Sequence, residues 1–150
     1  MKALYSEITI EAPPERVWSE LVDFARYGEW NPFIVSLAGE PEDGARLRVR
    51  LQPPGGRGVT LKPTVTRAVE PDTFEWLGHL GVPGIFDGRH TFQLRLCAEG
   101  TRFVEREEFR GVLVPLLARS LDRGTTAGFA AMNAALKTRV EEVPAPSADW

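Results

Sequence analysis

Hydrophobic and polar residues alternate along the first part of the chain. Over residues 3 to 11 the alternation is regular and predicts a β-strand with one buried face. The next segment changes to a helical period, and Pro14 suits its first turn because a proline there loses no hydrogen bond. A second short helical turn is predicted before Asn31, where the following Pro32 forces an extended exit.

The middle of the chain has an almost wholly β pattern. Six further strands are predicted between turn segments rich in Gly, Pro and Asp, at 33–39, 45–52, 59–69, 73–80, 88–98 and 101–111. Because the connections between consecutive strands are short, we expect them to pair as an antiparallel meander.

The last predicted element is a long helix over about 114 to 141, where apolar residues recur at helical spacing. Gly124 and Gly128 lie inside it, and each glycine costs a helix about 1 kcal/mol relative to alanine. Two explanations are open: close packing against a strand, or space left beneath the helix for a ligand.

The order of these elements predicts an α+β fold. A seven-stranded, curved antiparallel sheet would wrap around the long C-terminal helix, with two short helices after strand 1. Because one helix cannot fill such a sheet completely, a cavity between helix and sheet is expected.

Composition narrows the class of protein. The 150 residues, with 43% apolar and 26% charged residues, suit a single domain, predicted at 1–141, with a flexible tail at 142–150 that ends in Trp150. The net charge of -3 argues against nucleic-acid binding. The single Cys97 excludes an internal disulfide, and no apolar run suits a signal peptide or membrane insertion. A reducing, cytoplasmic location is therefore expected.

Several segments together resemble the START-like (SRPBCC) superfamily, and within it the polyketide cyclase/dehydrase-like group. They are IEAPPERVWSELVDFARYGEWNPF near the N-terminus, FEW at 74–76, GRHTFQL at 88–94, GTRFVEREEFRG at 100–111 and the long C-terminal helix. The resemblance covers about residues 3 to 141 and implies a helix-grip fold with a deep apolar cavity. The superfamily holds lipid and hormone binders, polyketide cyclases and chaperone co-factors, so the fold alone assigns no single activity.

Alternation on the predicted hairpin at 88–111 selects one face for the interior, because the other face carries arginines whose burial would be too costly. On the second strand the interior face carries Phe103, Glu105, Glu107 and Phe109. We expect a register in which Cys97 opposes Arg102 across the turn, so that His90 opposes Phe109.

Two carboxylates between aromatic residues are the polar anomaly of that face. Glu105 and Glu107 are two residues apart on one strand, so their Cβ atoms should lie about 6.5 to 7 Å apart. Burial of both should raise the pKa of at least one. Three interpretations are open: pairing with arginines of the last helix, such as Arg119 or Arg123; hydrogen bonding to a ligand; or general acid–base catalysis. His90 has parallel alternatives as proton donor, ligand contact or structural hydrogen-bonding group.

Two loops between strands carry further candidates. The segment QPPGGRG has no following helix with the Lys-Ser/Thr of a phosphate loop, and it is predicted to be a flexible hairpin tip. The segment LGVPGIFDG carries Ile85 and Phe86, which would either close over the cavity as a lid or anchor the loop in the core.

The leading hypothesis is a protein that binds a small hydrophobic or aromatic, partly oxygenated ligand between sheet and helix. The predicted ligand-binding residues are Trp30, Phe33, Phe74, Trp76, His90, Phe92, Glu105, Glu107, Phe109, Phe129 and Met132. One alternative is a cofactor-free polyketide cyclase or dehydratase with His90, Glu105 or Glu107 as acid or base. A second is a protein-interaction module like the chaperone co-factors of the superfamily. No cofactor and no metal are expected, since no His/Cys/Asp spacing suits zinc. The sequence makes no prediction of oligomeric state.

Overall fold

The computed structural model describes residues 1–142, and of residues 120–122 it describes the backbone alone. This part of the chain contains eight β-strands and three α-helices. The elements are β1 Lys2–Ile10, α1 Pro14–Leu21, a 3₁₀ turn Phe24–Arg26, α2 Tyr27–Trp30, β2 Ile34–Ala38, β3 Arg48–Leu51, β4 Val59–Leu61, β5 Thr64–Val69, β6 Thr73–His79, β7 Asp87–Cys97, β8 Gly100–Arg110 and α3 Val114–Glu142. Of the predicted tail, Glu142 ends α3, and the rest, with Trp150, lies outside the described residues.

The strands form two antiparallel groups that meet at a proline. Five strands pair in the order β1-β8-β7-β6-β5, and three pair in the order β2-β3-β4. A bridge between Arg46 and Thr64 joins the groups, and the N–H of Leu47 donates to the carbonyl of Pro63 at 2.8 Å. The α+β helix-grip architecture is confirmed, with eight strands in place of seven. The strand predicted at 59–69 divides at Lys62–Pro63 because proline has no N–H to donate and restricts the residue before it.

The C-terminal half of α3 closes the core against the sheet. Its buried side chains are Phe129, Met132, Leu136 and Val140. Burial of each large apolar side chain stabilises the fold by about 1.5 to 3 kcal/mol. Two hydrogen bonds fix this half to β1: Asn133 Nδ2 donates to Ser6 Oγ at 3.0 Å, and Lys137 Nζ donates to the carbonyl of Thr9 at 3.0 Å. The N-terminal half of α3 carries exposed leucines instead, so the sheet is filled at one end only.

The two glycines of α3 have different explanations. A Cβ at Gly128 would lie 2.4 Å from the ring of Phe33, so this glycine permits close packing. A Cβ at Gly124 would meet Pro53 at an ordinary 3.5 Å, and Gly124 borders a cavity. Packing therefore explains Gly128, whereas Gly124 has room for a Cβ beside Pro53 and borders the cavity.

Alanine at the two positions should have opposite effects on stability. Gly124→Ala is expected to raise the free energy of unfolding by up to about 1 kcal/mol, because its Cβ fits and alanine favours the helix. Gly128→Ala is expected to lower it, since overpacking costs about 1 to 3 kcal/mol and exceeds that gain. Urea denaturation of both variants measures the difference. Equal stabilisation by both would show that Phe33 does not constrain the helix.

Candidate functional site

The register of the β7–β8 hairpin decides which side chains meet. A two-residue turn at Ala98 and Glu99 joins the strands, and Cys97 opposes Gly100. Gly100 has φ +138°, and a Cβ there would lie 2.5 Å from a backbone oxygen, so the turn requires glycine. The predicted register was wrong by two residues because it assumed a longer turn. A shift of two keeps every side chain on its face but places His90 opposite Glu107.

A cavity of about 550 Å³ lies between β6–β8, the 53–57 loop and the N-terminal half of α3. Its large apolar lining residues are Phe33, Leu51, Val59, Leu61, Trp76, Leu80, Phe86, Phe109 and Leu117. Its charged or titratable lining residues are Arg57, His79, His90, Glu107 and Arg123. The wall at the cross-strand pair of Gly78 and Gly88 carries no side chains, which adds to the space.

His90 lies between two carboxyl groups in the buried wall of this cavity. Its Nε2 is 3.1 Å from Glu105 Oε1, and its Nδ1 is 3.1 Å from Glu107 Oε2. The imidazole is enclosed by aromatic rings, with centroids 5.0 Å from Trp76 and 4.3 Å from Phe92. The glutamates therefore meet a histidine. No described side chain of α3, Arg119 and Arg123 included, forms an ion pair with either carboxylate.

Glu105 and Glu107 differ in the exposed fraction of the side chain. The side chain of Glu105 is 0% exposed, whereas that of Glu107 is 13% exposed and lines the cavity. Glu105 Oε2 is buried and has no hydrogen-bond partner among the described residues. Glu107 Oε2 is close enough to His90 for an ion pair but lacks the alignment of a hydrogen bond. Glu107 is thus the carboxylate that a molecule in the cavity would reach.

Burial and the neighbouring charges shift the pKa of His90 in opposite directions. Burial lowers the pKa of the imidazole, but the carboxylates of Glu107 and Glu105 together raise the pKa from 6.5 to about 9. Burial raises the pKa of Glu105, and the hydrogen bond with His90 opposes that rise. At neutral pH the site therefore holds an imidazolium beside Glu107, in apolar surroundings.

Two loops complete the mouth of the cavity. Phe86 anchors the 80–86 loop by packing with Phe109 and Val114, and it also lines the cavity, while Ile85 is exposed. On the other side, Gln52 Nε2 donates to the carbonyl of Gly56 at 2.9 Å and braces the loop that carries Arg57.

The predicted ligand-binding residues fall into two sets. Those that line the cavity are Phe33, Trp76, His90, Glu107 and Phe109. Those packed in the core behind it are Phe74, Phe92, Glu105, Phe129 and Met132. Trp30 is partly buried, with its ring centroid 5.1 Å from that of Tyr27. Contact of any of these residues with a ligand stays a prediction.

Other lining residues were not among the predicted ligand-binding residues. They are Leu51, Pro53, Arg57, Val59, Leu61, Leu80, Phe86, Leu117 and Arg123. Most stand on loops or on α3, and their place around the cavity depends on how distant segments pack. The sequence offered two hints, the apolar Ile85 and Phe86 in a loop and Gly124 inside the last helix.

The described residues hold neither a metal-binding cluster nor a membrane-spanning helix. No group of three or more His, Cys, Asp or Glu side chains there has the arrangement of a metal site. No helix in that part of the chain is long and apolar enough to cross a membrane.

The fold and cavity define a helix-grip protein, and comparison of the sequence with family models agrees. Residues 1–141 match the family described as "Polyketide cyclase / dehydrase and lipid transport", and the chain belongs to this family. The predicted relationship to the polyketide cyclase-like group of the START-like superfamily is thereby confirmed. A search of curated proteins found no significant match to the sequence.

Similar folds occur among solved structures. Protein MLL2253 from Mesorhizobium loti has a TM-score of 0.75 and 20% identity, over 96% of this chain and 100% of that chain. The di-domain ARO/CYC BexL from the BE-7585A biosynthetic pathway has a TM-score of 0.75 and 16% identity, over 95% of this chain and 51% of that one. The di-domain ARO/CYC StfQ from the steffimycin biosynthetic pathway has a TM-score of 0.74 and 13% identity, over 93% of this chain and 51% of that one. At these identities the similarity shows the fold alone.

Proposed function

We propose that the protein binds a small hydrophobic or aromatic, partly oxygenated molecule in the cavity. The observation that carries the proposal is an apolar cavity of about 550 Å³ with the charged pair of His90 and Glu107 in its wall. Ligand sites have this character: mostly apolar lining, a few convergent polar groups and volumes of about 300 to 1,000 Å³. The lipid transport in the description of the family is consistent with it.

The buried charges support binding over a purely structural role. Replacing a buried ion pair with well-packed apolar residues is often neutral or stabilising, so stability alone gives no reason for His90 and Glu107. A hydroxyl group of a ligand would donate a hydrogen bond to Glu107. The rings of Trp76 and Phe109 would supply apolar contact on either side.

Filling the cavity should weaken binding while leaving the fold intact. Gly124→Leu places a good helix former at a lining position, where it would occupy the mouth of the cavity. The matched control is Ala130→Leu, on an exposed position of the same helix. Calorimetric titration with 2-naphthol, 1-hydroxyanthraquinone and 1-decanol measures binding.

We expect wild type and Ala130→Leu to bind at least one of these probes. Gly124→Leu should bind that probe at least about tenfold more weakly, a loss of about 1.4 kcal/mol. Failure of all three probes to bind wild type, or equal binding by Gly124→Leu, would contradict the proposal.

A cofactor-free cyclase or dehydratase is the second candidate, and the pair of His90 and Glu107 favours it. Glu107 would remove a proton from the carbon beside a substrate carbonyl, that carbon would attack a second carbonyl carbon, and the imidazolium of His90 would protonate the alkoxide that forms. In the dehydration the neutral imidazole would remove the second proton from the same carbon and protonated Glu107 would protonate the leaving hydroxyl group, so that water leaves and both side chains return to their starting states. Turnover of a polyketide panel by wild type and Glu107→Gln tests this. Tight binding without turnover by wild type would leave the carrier role alone.

A protein-interaction role was expected to show a filled core together with an exposed apolar patch. Exposed apolar residues do flank the lining residues Leu80, Phe86 and Leu117 along the chain: Val82, Ile85, Val112, Leu113 and Leu116. The other half of that expectation is not met, because a cavity lies behind these residues. Ligand binding is therefore the better supported function.

A further inference from the structure

Two arginines border the cavity from different elements. Arg57 stands on the loop between β3 and β4, and Arg123 stands on α3. The two elements touch at this point, since a Cβ at Gly124 would lie 3.5 Å from the side chain of Pro53. Both arginines are exposed, so they mark the mouth and not the buried wall.

No side chain in the described part of the chain compensates the positive charge of these arginines. Neither guanidinium forms a hydrogen bond or an ion pair with any side chain that the structure describes. Among the described lining residues the one carboxylate is Glu107, which lies in the buried wall. The described lining of the mouth therefore carries positive charge although the chain has a net charge of -3, and positive charge there favours anions.

The buried wall has a different polarity. There His90 lies between the carboxyl groups of Glu105 and Glu107, and of these two Glu107 borders the cavity. An anionic group would be repelled by Glu107, whereas a hydroxyl group would donate to it. The two ends of the cavity therefore select different chemical groups.

We infer that the ligand is an amphipathic acid bound in one orientation, with a hydroxyl group on Glu107 and a carboxylate or phosphate between Arg57 and Arg123. This inference rests on the proposed function and adds the chemical class and the direction of the ligand. Guanidinium groups suit it because their forked donors match the oxygens of carboxylates and phosphates.

Probes that share one ring system separate the contributions of the two ends. The neutral probe is 2-naphthol, the acid is 6-hydroxy-2-naphthoic acid, and the phosphate is the monophosphate of 2,6-dihydroxynaphthalene. Each is titrated calorimetrically at low salt into wild type, into Arg57→Gln/Arg123→Gln, and into a control double variant. The control is Arg48→Gln/Arg119→Gln, which removes equal charge from exposed positions outside the cavity lining.

We expect at least one of the two anionic probes to bind wild type at least tenfold more tightly than 2-naphthol. Whichever anion binds more tightly shows whether the site prefers a carboxylate or a phosphate. The Arg57→Gln/Arg123→Gln variant should lose that tenfold preference, so that it binds the anions no more tightly than it binds 2-naphthol. The control should retain the preference, and 0.5 M salt should weaken it because exposed charges are screened.

The outcomes distinguish this inference from the function on which it rests. If 2-naphthol and both anions bind wild type equally, or if both double variants lose the same affinity, the two arginines hold no anionic group and the inference is overturned while the binding function stands. If none of the three probes binds wild type, the inference is overturned together with its basis.

Discussion

Replacing His90 by leucine should lower the free energy of unfolding at pH 7 by about 3 to 5 kcal/mol, the usual cost of removing one partner from a buried ion pair. In the part of the chain that the structure describes, the variant removes the hydrogen-bonding partner of Glu105, which is 0% exposed, and the cation beside Glu107. Urea denaturation followed by circular dichroism measures the loss.

A matched variant, Glu105→Gln, shows how much of the stability loss comes from charge and how much from packing. Glu105→Gln keeps an acceptor for His90 Nε2 and removes one buried carboxylate, so its stability should change by about 1 kcal/mol or less. The loss in His90→Leu should also shrink as the pH falls, since burial raises the pKa of Glu105 and a protonated carboxyl group carries no unpaired charge. If His90→Leu proves as stable as wild type at pH 7, the carboxylates do not depend on the imidazolium.

The stability of the wild-type protein should fall as the pH rises from 6.5 through about 9, by up to about 3 kcal/mol. The pKa of His90 is raised on folding, so the folded state keeps a proton that the unfolded state releases in this window. The stabilisation is complete below 6.5 and is lost as the pH passes about 9. The raised pKa of Glu105 acts in the same direction at lower pH.

Urea unfolding at intervals between pH 6 and 10 measures this slope, and His90→Leu is the control that should lose it. The imidazole signals of wild type, assigned with His79→Gln, give the pKa of His90 by NMR. Titration of His90 at or below its ordinary value of 6.5 would show that the two glutamates do not hold its proton.

The alternation of the sequence was enough to place side chains on faces, because a strand has a period of two and the buried face excludes arginine. The alternation was not enough to decide which residues of neighbouring strands lie opposite each other. The partner of Glu107 depends on the length of the turn at Ala98, and an error of two residues moved His90 away from both glutamates. The buried His90–glutamate cluster was therefore missed although all its members were named.

The local sequence pattern could not predict the residues at the mouth of the cavity for another reason. Arg57 and Arg123 are far apart in the chain, and they border one cavity only because the loop at Pro53 packs against α3 at Gly124. Similarly, the division of the long strand at Pro63 follows from a missing N–H in the ladder, which hydrophobic alternation does not register.

Native mass spectrometry of the protein purified from its own host tests the central claim most directly. Wild type and Ala130→Leu should carry the same small, oxygenated molecule, which denaturation releases. Gly124→Leu, purified in the same way, should lack it. Wild type without any bound molecule, or the same molecule on Gly124→Leu, would contradict the assignment of this cavity as the binding site.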